Sequence, residues 1–492
     1  MSKPEADGWL TPWLERQRPA AERGVYCNRT LNLRGIRAIG YDMDYTLIHY
    51  HEEEWERRAF EYIREKLLEL DWPVDDVLFD PSSTIRGLII DKQLGNLVKA
   101  NRFGYVKQAM HGTRMLTYDE QREAYSRSVV DLAEPRWVFL NTLFSLSEAC
   151  MYGQLVDRLD RREIPEVLGY GELYDRTKAA LDEAHMEGRL KAEIVAAPER
   201  FVALDREAPL ALLEQKRADK KLLLITNSEW AFSDAMMSYA YDSLLPDGMA
   251  WRDLFDLVIV ASRKPAFFVQ SLPIFKIVDA ASGYLEPCIS GLEAGHKLYW
   301  GGDAAKVERH FGFDGNDFLY VGDHIYGDVH VSKSIRRWRT ALILRELEDE
   351  ISAIRRFEAS QAELTRLMAA KEQLEFRQSA LRASALREAD PSCASGEWGF
   401  PAEHRGERDR LLAELKYQLG ELDQRIAPLA IAYGELYNRR WGLLLQTGND
   451  KSHLARQIER HADIYTSRVS NFRYATPVVY LRSRRGLLPH EQ

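Results

Sequence analysis

The chain has 492 residues, 45% hydrophobic and 29% charged, enough to bury two or three cores. Its formal charge of -9 and pI near 5.8 carry no basic surplus, so neither nucleic acid nor an anionic membrane is an expected partner. Four scattered cysteines, Cys27, Cys150, Cys288 and Cys393, form no CxxC or zinc spacing, which argues against a disulfide framework and fits a reducing cytoplasm.

Residues 1–25 form a polar extension without an apolar leader of the secretory type, and Trp9 and Trp13 are candidate anchors on another surface. No run of about 18 apolar residues occurs, so no membrane span is expected. Residues 26–50 hold the stretch that organises the chain. Ile36–Tyr41 reads as a buried strand, and Asp42, Asp44 and Thr46 follow at every second position. Close carboxylates repel unless a cation or proton lies between them. At the carboxyl end of a parallel strand, where α/β folds place ligands, this pattern suits magnesium-assisted phosphoryl chemistry. The alternative is a polar turn with an Asx cap.

Residues 51–200 read as a mostly helical insertion, with helical spacing over Trp55–Leu70, Val129–Gly153 and Glu172–Lys191. Placed here, it would cap the catalytic loop, exclude water and select substrates. His49 and His51 are either ligands or, lacking a third partner, a solvated lead-in to the first helix.

Residues 201–345 supply the rest of the core. Lys221–Ile225 is an apolar run that ends in Thr226, Asn227 and Ser228, donors suited to phosphate oxygens or to capping the next helix. Phe255–Ala261 reads as a third buried strand, followed by Lys264 in an extended loop before Pro265. Asp317–Gly322 is a fourth. There Gly322 permits a sharp turn, and Asp323 and Asp328 offer oxygen ligands for a hard dication, with His324 and His330 read as structural. Thr340–Leu344 is a fifth. Residues 346–445 show three-four apolar spacing in two arms around a loop at 390–401, an antiparallel helical hairpin of coiled-coil character that Pro428 should kink. It is either packed on the core or an oligomerisation arm. Residues 446–492 read as a docked tail, since the stretch Trp441–Tyr480 is rich in aromatics.

Four apolar strands each end in the right chemistry, in order. Asp42-Met-Asp-Tyr-Thr-Leu47, Thr226-Asn-Ser228, Arg263-Lys-Pro265 with Phe267 and Phe268, and Gly322-Asp-His-Ile-Tyr-Gly-Asp328 resemble the motifs of the haloacid dehalogenase superfamily, and within it the cytosolic purine 5'-nucleotidase family. The likeness extends through Asn141–Phe144 and Arg460–Tyr465. It implies a Rossmann-like α/β core with a parallel sheet, a helical cap and the C-terminal hairpin. It also implies hydrolysis of purine nucleoside monophosphates with Mg2+, with phosphate transfer to a nucleoside as a second outcome.

In this resemblance Asp42 is the nucleophile and Asp44 the acid and base. Thr226 and Ser228, with Asn227, contact the phosphoryl group, and Lys264 offsets its charge. Asp42, Asp44 (through its carbonyl), Asp323 and Asp328 hold the metal. Phe144 matches a base-stacking aromatic, and Lys178, Asp182, His185 and Lys191 match polar residues facing the nucleotide. Lys178 stands where the family's purine enzyme has arginine, and the two are not interchangeable. A phosphatase of another small phosphomonoester, or a silent scaffold using the hairpin, are the competing readings. Self-association and a cytoplasmic location are expected.

Overall fold

The structure is a computed structural model that describes residues 10–186, 188–289, 291–389, 401–484 and 486; Trp9, Cys393 and nearly all of the 390–401 loop fall outside them. Among the described residues the largest sheet has ten strands. In chain order these are β1 (Tyr26–Cys27), β2 (Ala38–Tyr41), β3 (Lys221–Ile225), β4 (Leu257–Val260) and β5 (Ile274–Asp279). Then come β6 (Tyr284–Pro287), β7 (Leu298–Gly301), β8 (Phe318–Gly322), β9 (Arg339–Ile343) and β10 (Ile464–Thr466).

Across the sheet the order is β1-β10-β9-β8-β2-β3-β4-β7-β5-β6. The strands from β10 to β7 run parallel, and antiparallel strands close both edges. The central strands are buried on both faces, which is why they read as unbroken apolar runs rather than alternating ones. This is the expected α/β class.

Register positions the site. Tyr41 lies opposite both Val321 and Leu224, so β2, β8 and β3 end level with one another. Their following residues, Asp42, Gly322 and Ile225 with Thr226, share one edge of the sheet. That is where parallel α/β sheets bind ligands.

The insertion leaves and returns at one place: His49–Tyr50 pairs antiparallel with Val202–Ala203. Helices Glu52–Leu68, Leu146–Asp160 and Tyr170–Met186 pack on one another inside it. Helix outweighs strand there, but the insertion also holds a five-stranded antiparallel sheet that the helical reading omitted. Its strands are Ile89–Asp91, Asn96–Ala100, Val106–His111, Arg114–Met115 and Trp137–Phe139. Val129–Gly153 is therefore not one helix. The first two strands are buried throughout, so they lose the alternation that marks a half-exposed strand. The turn after the first strand and the turn after the third are marked by Gly95 and Gly112, both at positive φ. Glu172–Lys191 is likewise two helices, parted at Gly188 in the left-handed region.

The tail joins the main sheet through β10, where Tyr465 pairs with Tyr26 and their rings stack at 5.3 Å. Tyr480–Leu481 pairs with Leu31–Asn32. Trp13, on the helix Leu10–Gln17, is exposed rather than buried against another surface. No helix of the described residues is long and apolar enough to cross a membrane.

The chain divides into two compact units, residues 1–349 with 444–492, and residues 350–443. The second is an antiparallel pair of helices, Glu358–Ala389 and Arg408–Gly434, tied by Lys371–Asp423, Arg425–Glu363 and Arg408–Glu388 ion pairs. Pro428 lies inside the second helix.

Candidate active site

The loop after β2 is a tight turn. The Asp42 N–H donates to Val321 O at 2.9 Å, carrying the strand register one residue further. The Met43 carbonyl then accepts from the N–H groups of Thr46, Leu47 and Ile48. Such a turn forces Tyr45 to a φ of 55°, a left-handed conformation that costs a bulky residue about 1–3 kcal/mol. Its buried ring meets Tyr50 and Phe144 edge-on at 5.2 and 4.7 Å and packs against Trp55, contacts of the size needed to hold it there.

Lys264 reaches the same place from the loop after β4. Its ammonium lies 2.7 Å from Asp42 Oδ1, 2.9 Å from Asp328 Oδ1 and 3.0 Å from the Tyr320 hydroxyl, with 3% of the side chain exposed. Burial works against the ammonium, but Asp328 and Asp42 outweigh it and hold its pKa well above the usual lysine range. The loop has Ala261 and Arg263 at φ of 45° and 59°. Asn227 fixes it: its carbonyl oxygen accepts from Lys264 N–H at 2.6 Å and from the Ser262 hydroxyl at 3.0 Å, and its amide donates to Lys264 O. Asn227 is thus turned toward the lysine loop, its carbonyl oxygen and its amide both engaged there. Its amide is the one group able to serve both a backbone N–H and a C=O there.

Asp323 and Asp328 follow β8. Gly322 is demanded by close approach rather than by a turn: a Cβ there would lie 2.5 Å from Asp328 Oδ2. A wide helical turn, Ile325–His330, returns Asp328 to the strand end, and its Oδ2 accepts from His324 N–H. His324 Nδ1 accepts from Gly327 N–H at 2.7 Å, a structural use of the ring. His330 lies beside His461, with their Nδ1 atoms 3.0 Å apart.

Carboxylate oxygens of Asp42, Asp323 and Asp328 all lie within 4.8 Å of one another. Burial pushes the Asp42 and Asp323 carboxyls up, with the neighbouring carboxylates adding to the effect. One lysine cannot neutralise three carboxylates, and Asp323 Oδ2 is buried without a partner. An all-oxygen cluster with an unpaired buried oxygen and surplus negative charge fits a hard divalent cation.

Asp44 stands apart from that cluster. It accepts from the Tyr50 hydroxyl on one oxygen and from the Ser228 hydroxyl, at 2.6 Å, on the other. Lys191, on the cap, donates to the same Ser228 hydroxyl at 3.0 Å. Thr226 is buried, and its hydroxyl accepts from Ser228 N–H at 3.1 Å. Neither Thr226 nor Ser228 caps the next helix, whose N-terminal position is Glu229.

The remaining expected contacts are not drawn in. Lys178 pairs with Asp182 at 3.2 Å, both exposed, on one helical face. Phe144 is half-buried in the Tyr45–Trp55 aromatic cluster. The side chain of His185 lies outside the described residues. His49 is buried, and burial, then Arg345 and Arg468, lower its pKa to about 3, so it is neither a solvated lead-in nor part of the carboxylate cluster.

Tyr50, Tyr320 and Arg86 contact this region and were not singled out from sequence. Arg86 donates to the Asp323 carbonyl. Tyr50 follows the Asp-rich loop within a short strand, a position that alternation could have flagged; the other two carried no local signal.

Carboxylates gathered around a buried lysine, at the carboxyl edge of a parallel sheet and under an inserted cap, define a phosphoric monoester hydrolase of Rossmann-like architecture. The profile of the 5' nucleotidase family matches residues 25–492, and the chain belongs to that family; it is a nucleotide phosphatase. It is 26% identical over 487 residues to a 5'-nucleotidase domain-containing protein of Dictyostelium discoideum, covering 95% of this chain and 74% of that one. Among solved structures, it is similar to an archaeal beta-phosphoglucomutase from a hyperthermophilic Pyrococcus species (13% identity, 63% of this chain and 86% of that chain, TM-score 0.31). It is also similar to CbbY from Rhodobacter sphaeroides in complex with phosphate (15% identity, 63% and 86%, TM-score 0.23).

Proposed function

We propose that the protein is a magnesium-dependent 5'-nucleotidase that hydrolyses purine nucleoside monophosphates through an aspartyl-phosphate on Asp42. The observation that carries this reading is the Lys264 ammonium seated between Asp42 and Asp328, with Asp323 in the same cluster. Asp42 attacks phosphorus as the bond to the 5'-oxygen breaks. Asp44 gives that oxygen a proton, then takes one from the water that cleaves the acyl phosphate. Lys264 offsets the charge of Asp42 and of the phosphoryl oxygens. The Ser228 and Thr226 hydroxyls and Lys191 orient those oxygens, while Asn227 holds Lys264 in place. A magnesium ion on Asp42, the Asp44 carbonyl, Asp323 and Asp328 would supply further charge neutralisation. A nucleoside in place of water would give phosphotransfer.

Purine preference rests on Phe144 and the cap charges Lys178, Asp182 and His185, since a larger base offers more stacking area. A phosphate-release screen over nucleoside monophosphates and sugar phosphates, with and without magnesium, tests the reading. Release from purine nucleotides only with magnesium is expected. Preference for a sugar phosphate, or metal-independent release, counts against it.

Self-association belongs to the same proposal. Phe376, Leu386, Tyr417 and Ile431 of the helical pair are exposed, more apolar surface than a two-helix pair covers for itself. Light scattering at micromolar concentration should give a mass above that of one chain.

A further inference from the structure

Arg86 enters the region of the site from the cap insertion, just before the first cap strand. Its side chain is 1% exposed. A guanidinium presents five N–H donors in a rigid plane, so its partners are fixed relative to one another. Here Nε donates to Asn141 O at 2.9 Å and Nη2 donates to the Asp323 backbone carbonyl. Nη1 lies 3.6 Å from Glu346, whose side chain is 2% exposed and whose two carboxylate oxygens have no hydrogen-bond partner. One side chain thus ties together the cap entry, the thread leading to Phe144 and the loop after β8.

The consequence falls on Asp323. Its Oδ2 is buried and accepts no hydrogen bond, so no donor aims that oxygen from the side-chain end. The hold that the described residues place on Asp323 from the cap is the Arg86 bond to its backbone. A buried ion pair without full hydrogen bonding is an expensive way to fill space. It is a good way to fix a loop whose carboxylate must stay pointed while it repels its neighbours.

We infer that Arg86, anchored by Glu346, is a positioning residue that aims the Asp323 carboxylate for the divalent cation. This inference rests on the metal site of the proposed function. Such a residue does not touch substrate; it sets metal affinity by fixing a ligand.

The test titrates Mn2+ alone, without nucleotide, into the purified full-length protein and reads bound metal by electron paramagnetic resonance. Asp323→Asn should abolish binding at concentrations that saturate the wild type. Arg86→Lys keeps the charge and loses the fork, and should weaken Mn2+ binding tenfold or more. Arg86→Met with Glu346→Gln removes both buried charges together, avoids an uncompensated one, and should weaken binding at least as much. It keeps the test open if the lysine variant does not fold. With saturating magnesium, KM for a purine monophosphate should stay within twofold of wild type in both. Variants that melt earlier yet bind Mn2+ as tightly as wild type would show a purely structural arginine and overturn the inference. If Asp323→Asn itself binds Mn2+ normally, the metal site falls, and the inference with it.

Discussion

The phosphate side and the base side of the proposed site are built differently. On the phosphate side most charged groups are already engaged, Lys264 with Asp42 and Asp328, Asp44 with Ser228 and Lys191 with Ser228, while Asp323 Oδ2 is buried without a partner. On the base side, Lys178 and Asp182 are exposed and pair with each other, and Phe144 leans into an aromatic cluster. Chemistry on phosphorus demands reacting groups fixed within a fraction of an ångström, because misplacement is punished steeply. Base recognition adds only a few hydrogen bonds and a stacking face, and it tolerates groups that settle when the ligand arrives. Substitutions on the two sides should therefore differ by orders of magnitude and in which constant they move.

The largest effect belongs to Asp42. Asp42→Asn removes the proposed nucleophile and leaves Lys264 with one fewer carboxylate, so turnover should fall to background with every substrate. Intact-protein mass spectrometry should detect no phosphorylated species. Asp44→Asn comes next. It spares the proposed nucleophile and removes the proposed proton carrier, a loss of about 10² to 10⁴-fold. With p-nitrophenyl phosphate, whose leaving group needs little protonation, this variant should accumulate phosphorylated protein. A phosphorylated Asp42→Asn protein would break the assignment of roles.

Gly322→Ala is subtler. The added Cβ would come within 2.6 Å of the Asp328 side chain. Asp328 must move, loosening its 2.9 Å contact with Lys264. A shift of that size should cost roughly 10²-fold in kcat while the protein stays folded by circular dichroism. Activity near wild type would mean that the carboxylate cluster is softer than its packing implies.

The phosphate side was also the legible side. Buried parallel strands are short apolar runs, and the polar residues that interrupt them at one sheet edge stand out by type and position. Direction was not legible. The Thr226-Asn-Ser228 triplet announced donors, but only the fold shows Asn227 turned to the lysine loop and Ser228 to Asp44. Tyr320 was hidden inside its own strand, where an aromatic reads as core filler, although its hydroxyl meets Lys264. Arg86 was hidden for the opposite reason: an arginine beside a glycine reads as solvated loop. Its partners lie 55, 237 and 260 positions away, beyond any local pattern. The first two strands of the cap sheet were missed because full burial erased their period of two.

The smallest effect should come from Lys178→Ala. The Lys178–Asp182 pair is exposed and spans one helical turn, a geometry typically worth only about 0.3–0.5 kcal/mol. Thermal stability should therefore hardly change. If Lys178 turns to the base when nucleotide binds, one hydrogen bond is lost there, about 0.5–1.5 kcal/mol, or roughly two- to tenfold in KM. That rise should appear with a purine monophosphate and be absent with p-nitrophenyl phosphate, which has no base, while kcat for both stays level. A KM rise shared by both substrates would place Lys178 on the phosphate and move it to the other side of the comparison. No rise with either would leave it a solvated charge, and purine preference would then rest on Phe144 and the remaining cap residues.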